Sequence, residues 1–171
     1  MLNRLKEKAL ENIKLSRDEL LEVAAAPLTE LIDAAAGITA HCASRRFNLC
    51  AIINAKSGRC SENCRWCAQS RHYPTQAATY PLLPIQTVLQ SALNAQAHGI
   101  SRFSIVTSGR KLSPREVREV ADLVRELKSC TGLEICISAG LLTEKEFSLL
   151  AQAGVVRCHC NLEASERFFP Q

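Results

Sequence analysis

Two capping boxes, Ser113-Pro-Arg-Glu116 and Thr143-Glu-Lys-Glu146, each open a helical stretch set between short apolar runs. In such a box the Ser or Thr hydroxyl caps the N3 amide while the N3 glutamate reaches back to the N-cap amide. Both helix starts are thus written into the sequence, and Pro114 stands at the first helical position of one of them. Strand candidates at 103–107, 133–138 and 155–162 flank these helices, and another precedes them at 49–55. A further helical pattern over 84–98 ends at Gly99, and Gly154 ends the helix that begins after Thr143. Strands joined by helices of this length require parallel pairing and right-handed crossovers. Two architectures satisfy that requirement, part of a β/α barrel or an open doubly wound sheet, and the pattern alone leaves both open. Residues 2–42 read as a helical prelude, with a capping box at Ser16-Arg-Asp-Glu19 and an interruption at Pro27. The expected organisation is a helical extension over 1–45 followed by an α/β region over 46–171.

Strand side chains alternate between faces. On the third strand Leu133, Ile135 and Ile137 are expected to meet the helices, leaving Glu134, Cys136 and Ser138 on the inner face. On the fourth, Arg157, His159, Asn161 and Glu163 share the inner face, opposite Val156, Cys158, Cys160 and Leu162. Four polar side chains in a row need partners. A ligand rich in hydroxyls and charges would supply them, as would a network that satisfies itself. Cys158-His-Cys160 looks like a metal pair, but the alternation sends both thiols toward the helices, where buried cysteine packs as a small hydrophobe.

Three further cysteines, Cys60, Cys64 and Cys67, are spaced C-x3-C-x2-C just after the first strand candidate. Soft thiolates favour iron–sulfur clusters or zinc. A tetrahedral zinc site wants four ligands, and this loop supplies three. A cubane iron–sulfur cluster held by three thiolates keeps one iron open for a small molecule. Nine cysteines behind a charged, helical N-terminal pattern fit a reducing cytoplasm better than a secreted disulfide scaffold. No stretch approaches a membrane span. The net charge of +4 is dispersed and aromatics are scarce at 5%, which argues against a nucleic-acid surface.

The run Cys50-Ala-Ile-Ile-Asn-Ala-Lys-Ser-Gly-Arg-Cys-Ser-Glu-Asn-Cys-Arg-Trp-Cys-Ala-Gln-Ser70 resembles the cluster loop of radical S-adenosylmethionine (SAM) enzymes, and of biotin synthases in particular. Arg102-Phe-Ser-Ile-Val-Thr-Ser-Gly109, Leu133-Glu-Ile-Cys-Ile-Ser-Ala-Gly140 and Asn161-Leu-Glu-Ala-Ser165 are similar to the same family. The resemblance selects the barrel: an α/β fold, a partial TIM-type (β/α) barrel of about four β/α units behind an N-terminal helical extension. A complete barrel takes about 250 residues, so 171 residues read as its first half.

The resemblance implies that Cys60, Cys64 and Cys67 bind a [4Fe–4S] cluster whose fourth iron takes the amino and carboxylate groups of SAM. An electron from the cluster would then yield a 5′-deoxyadenosyl radical. Trp66 would sit beside cluster and adenine, Ser108 and Gly109 beside the methionine end of SAM, and Asn161 and Glu163 at its ribose. Gly109 is read equally well as an ordinary turn glycine. An auxiliary iron–sulfur cluster is implied deeper in the barrel, with Cys136 as one ligand and Arg102 nearby. Ser104 departs from the family there, where cysteine is usual, and Cys50 is a candidate to compensate. Arg102 could instead pair with Glu134. The implied reaction is sulfur insertion into dethiobiotin, the last step of biotin biosynthesis. The implied setting is cytoplasmic, with a reducing partner such as flavodoxin or ferredoxin, and either a homodimer or pairing with a C-terminal half. Hydrogenase-maturation and methylornithine-forming radical SAM enzymes are the rival activities, and an inactive or split cluster-binding fragment is the rival of another class.

Overall fold

The structure is a computed structural model, and it describes residues 2–43 and 47–168. The chain divides into two compact units, Met1–Phe47 and Asn48–Gln171. In the first, α1 (Leu2–Leu10) packs along α3 (Leu28–Cys42), with α2 (Arg17–Ala25) between them in sequence. The Ser16 box forms as the sequence predicts. Glu19 N donates to Ser16 Oγ at 3.2 Å, and Ser16 N donates to Glu19 Oε2 at 3.0 Å. Arg4 and Lys8 of α1 donate to the other oxygen of Glu19 at 2.5 and 2.6 Å. Lys8, then the Ser16 amide, then Arg4 draw the Glu19 carboxyl down from 4.5 to about 2. A depressed carboxyl contributes stability that is complete above its unfolded value and is lost as pH falls toward its folded value. Glu19→Gln is therefore expected to destabilise the chain at neutral pH, with the deficit relative to the unsubstituted chain vanishing between pH 4.5 and 2. Urea unfolding followed by far-UV circular dichroism across that range measures it.

The second unit alternates β1 (Cys50–Lys56), α4 (Ile85–Ala97), β2 (Arg102–Thr107), α5 (Pro114–Cys130), β3 (Glu134–Ser138), α6 (Glu144–Ala153) and β4 (Val155–Cys158). The four strands are all parallel and lie in the order β1-β2-β3-β4. A doubly wound sheet reverses its strand order at a switch point. Here each strand pairs with the next in sequence, and right-handed crossovers then put every helix on one face. That is the winding of a barrel segment.

The register sorts the side chains into rows. Toward the helices stand Ala51, Phe103, Ile135 and Val155, then Ile53, Ile105 and Ile137. They meet Val88, Ala92 and Ala95 of α4, Val117, Val120, Val124 and Leu127 of α5, and Leu150 and Ala153 of α6. These helix positions recur every three or four residues, so each helix turns a single apolar stripe inward. The inner face carries Cys50, Arg102 and Glu134, then Ile52, Ser104, Cys136 and Arg157, then Asn54, Val106 and Ser138.

The fourth strand differs from its expected form. The ladder stops at Cys158 rather than running to Leu162, with one more bond from His159 N to Ile137 O at 2.8 Å. β4 is the edge of this sheet, and among the described residues no strand pairs with its outer side. A register shift between Ile135 and Cys136 opposes Val155 to Ile135 and Arg157 to Cys136. Val155, not Val156, therefore enters the core, and Val156 is exposed. Cys158 stands opposite Ile137 in the row toward the helices, as the alternation expects, but it is exposed rather than packed, and Cys160 and Leu162 are exposed beyond the strand. Asn161 and Glu163 do not share a strand face with Arg157, because they lie beyond the strand, where Glu163 takes a left-handed φ of 63°.

The turns after the strands are laced together. Leu141 N donates to Arg110 O at 2.9 Å, tying the turn after β3 to the turn after β2. Gly140, at φ 72°, lies so close that an added Cβ would collide with the Arg110 carbonyl. Gly140→Ala is expected to cost about 1–3 kcal/mol from the left-handed backbone alone, and more once the turn is displaced. Thermal unfolding measures the loss.

Candidate metal centre

The cysteine loop leaves the C-terminal end of β1, the end at which barrel enzymes carry their chemistry. Its base is pinned on several sides. Ser57 pairs with Tyr80 through two backbone bonds of 3.1 Å, and Leu83 N donates to Ala55 O at 2.8 Å. This strap occupies the free edge of β1 beyond Asn54. Lys56 Nζ reaches Glu116 Oε1 at 2.6 Å, and Glu116 also closes the Ser113 box. Burial pushes the Glu116 carboxyl up, but the Lys56 and Ser113 donors outweigh it and hold the group below its usual range. The ion pair thus ties the loop base to the start of α5.

The loop folds back on itself. Cys60 N donates to Gln69 O at 2.9 Å and Arg71 N donates to Cys60 O at 3.0 Å, so Cys60 lies against the returning leg. Cys67 N donates to Cys64 O at 3.0 Å, which closes a tight turn between these two cysteines. Ser70, buried, donates to Glu62 O at 2.7 Å, and His72 Nε2 lies 2.9 Å from Ser61 O. Cys64 is exposed, and its thiol is pushed up, first by partial desolvation and then by Cys67, Cys60, Glu62 and Glu163. Three thiols within electrostatic reach of one another repel once ionised, and bound iron relieves that repulsion.

Among the described residues no three His, Cys, Asp or Glu side chains are placed to hold a single metal ion. A cubane makes a different demand, since each thiolate caps a separate iron. The three soft donors on one closed loop fit such a cluster.

The other expected residues are spread around this loop. Trp66 is 58% exposed, between the second and third cysteines. Ser108 is spent on the loop base: its buried hydroxyl donates to Gly58 O at 2.8 Å and its N–H to Lys56 O at 2.8 Å. Gly109 follows at φ 109°. Glu163 adds its charge at Cys64, and Asn161 is exposed two residues before it. On the inner face Arg102 does pair with Glu134, through Nε at 3.1 Å and Nη2 at 2.7 Å to the same oxygen. Ser104 and Cys136 stand in register, both buried, but their row mate on β1 is Ile52. Cys50 lies one row away, about 6.6 Å along the strand. Burial pushes the Cys136 thiol up, against the opposing pull of Arg102 and Arg157. Gln69, Ser57 and the Lys56–Glu116 pair are functional candidates that spacing alone does not single out. The sequence signal for Gln69 is a polar return leg after the last cysteine, while Lys56, Ser57 and Glu116 already stand in the cluster-loop run and the capping box for other reasons.

Comparison with known proteins places this geometry. The family model described as the radical SAM superfamily matches residues 55–170. The chain is 48% identical to biotin synthase 2 of Corynebacterium diphtheriae, over 97% of this chain and 51% of that protein. It is 41% identical to biotin synthase of Parabacteroides distasonis, with the same coverage of 97% and 51%. The chain therefore spans about half the length of the curated relatives it matches. Among solved structures it is similar in fold to methylornithine synthase, with a TM-score of 0.78 at 18% identity, covering 96% of this chain and 49% of that one. A maturase of the [FeFe]-hydrogenase gives 0.75 at 14% identity, covering 97% and 38%. Both support a parallel β/α barrel segment and carry no activity across. With its family match covering most of the sequence, and with three cysteines on a closed loop at the end of the first strand, the chain belongs to the radical SAM superfamily.

Proposed function

We propose that this chain is the radical-generating half of a biotin synthase, acting on dethiobiotin in the barrel lumen. The observation that carries the reading is the closed cysteine loop at the C-terminal end of β1, joined to identities of 48% and 41% with biotin synthases. Cys60, Cys64 and Cys67 would hold a [4Fe–4S] cluster, which when bound supplies the electron that cleaves SAM to a 5′-deoxyadenosyl radical. Glu163 offers a carboxylate to accept from the vicinal ribose hydroxyls of SAM. With the Ser108 N–H given to Lys56 O at 2.8 Å, the backbone at Gly109 is what this turn offers to the methionine end of SAM. Cys136, buried on the inner face, is the ligand this half offers to an auxiliary cluster, with Arg102 held beside it by Glu134. Ser104 in the same row is a harder, less acidic donor than cysteine, so the type of that second cluster stays distinct from the family pattern.

A second reading is favoured by the inner face itself. Ile52 is 68% exposed there, and β4 presents an unpaired edge. On that reading the chain binds the cluster and works only with further strands. Anaerobic incubation with SAM, a strong reductant and dethiobiotin, followed by mass spectrometry, tests both. The expected products are 5′-deoxyadenosine from this chain, and biotin once the second half of a biotin synthase is supplied. SAM cleavage with no biotin in the completed protein would overturn the substrate.

A further inference from the structure

We propose that Gln69 is a positioning residue that closes the cysteine loop before any cluster binds, with Gly58 as the point it closes onto. Its purpose rests on the cluster reading above, while its geometry does not. Gln69 grips the start of the loop three times. Its Oε1 accepts from Ser57 Oγ at 3.0 Å and from Gly58 N at 2.5 Å, and its backbone oxygen accepts from Cys60 N at 2.9 Å. One residue, two places after the last cysteine, therefore holds the chain at the first cysteine and just before it.

Gly58 is suited to be the anchor. Its N–H is taken by Gln69, and its carbonyl accepts from the buried Ser108 hydroxyl on the next turn. Its φ of 77° is left-handed, and a Cβ there would collide with the Thr79 hydroxyl. Glycine alone meets both conditions. The loop base is thus clamped between its own returning leg, the turn after β2 and the strap at 79–83.

The consequence concerns affinity. An open loop would spread the ligands at 60, 64 and 67 over many conformations, and ordering them would be subtracted from cluster binding. Side chains that fix ligand geometry without touching the metal typically change metal affinity by roughly 10–100-fold. A neutral amide also suits the place. A carboxylate at 69 would place one more negative charge two residues from Cys67.

Two substitutions separate the parts. Gln69→Leu keeps the volume and removes the acceptor. Gln69→Glu keeps an acceptor for both donors and adds the charge. Amide hydrogen exchange at Gly58 and Cys60 is read on the cluster-free chain, and the rate of iron loss to a chelator on the reconstituted one. Circular dichroism confirms that each variant is folded. With Gln69→Leu, both amides are expected to exchange faster, and iron is expected to leave roughly 10–100-fold faster. With Gln69→Glu, amide protection and iron retention are expected to return, while the cluster's reduction potential falls. Gln69→Leu with unchanged exchange and unchanged iron loss would overturn the proposal, as would a folded Gln69→Glu that restores neither. If the unsubstituted chain binds no cluster yet its Gly58 protection depends on Gln69, the cluster reading fails and the loop closure stands.

Discussion

Cys64→Ala is expected to abolish iron–sulfur loading and 5′-deoxyadenosine formation, leaving the fold intact. Cys64 lies in the outer part of the loop, where its backbone carbonyl only closes the turn to Cys67. Its side chain makes no hydrogen bond among the described residues, and its removal leaves the core untouched. Two thiolates remain in Cys64→Ala, too few for a cubane that takes three. Iron and sulfide content, the visible absorption of the reconstituted protein, and 5′-deoxyadenosine by chromatography measure the effect. Thermal unfolding of the cluster-free variant, expected to match that of the unsubstituted chain, separates lost ligation from lost structure. A Cys64→Ala protein that retains a full cluster would remove this residue from the ligand set.

Phe103→Ala is expected to have the largest effect on the fold. Phe103 is 1% exposed on the helix side of β2, in a row with Ala51 and Ile135. Truncating a buried Phe costs about 3–5 kcal/mol, through lost apolar burial and the cavity left behind. Whole domains are stable by only about 5–15 kcal/mol, so a large share of the unit's stability goes with it. The effect should reach the loop, because β2 ends in Thr107 and the next residue, Ser108, braces Gly58. Urea unfolding measures the loss. Val156→Ala, at an exposed position two strands away, is the control expected to change little.

How much of this was legible in the sequence follows from how local each feature is. Ser16, Ser113 and Thr143 announce their helices because a capping box is made by residues three apart, and all three boxes form. Gly154 at φ 112° and Pro27 close and open helices by equally local rules. The end of β4 was not legible. On paper the alternation runs on to Leu162, but a strand lasts only as long as something pairs with it, and β4 has a neighbour on one side. Cys160 followed from the same misplaced end, whereas Cys158 lies within the strand, opposite Ile137 in the expected row, and is exposed there. Cys50 was placed on the correct face, but its row depends on the register between β1 and β2, which puts Ile52 opposite Ser104. In the loop, cysteine spacing pointed to the ligands. The braces were invisible because they join distant residues: Ser108 reaches Gly58 across 50 positions and Lys56 reaches Glu116 across 60.

The most direct measurement is electron paramagnetic resonance of the anaerobically reconstituted, reduced 171-residue chain, recorded with and without SAM. A [4Fe–4S] cluster on Cys60, Cys64 and Cys67 with one open iron should give a reduced-cluster signal that changes when SAM is added. A signal indifferent to SAM, or a loop that takes zinc and no cluster, would contradict the account.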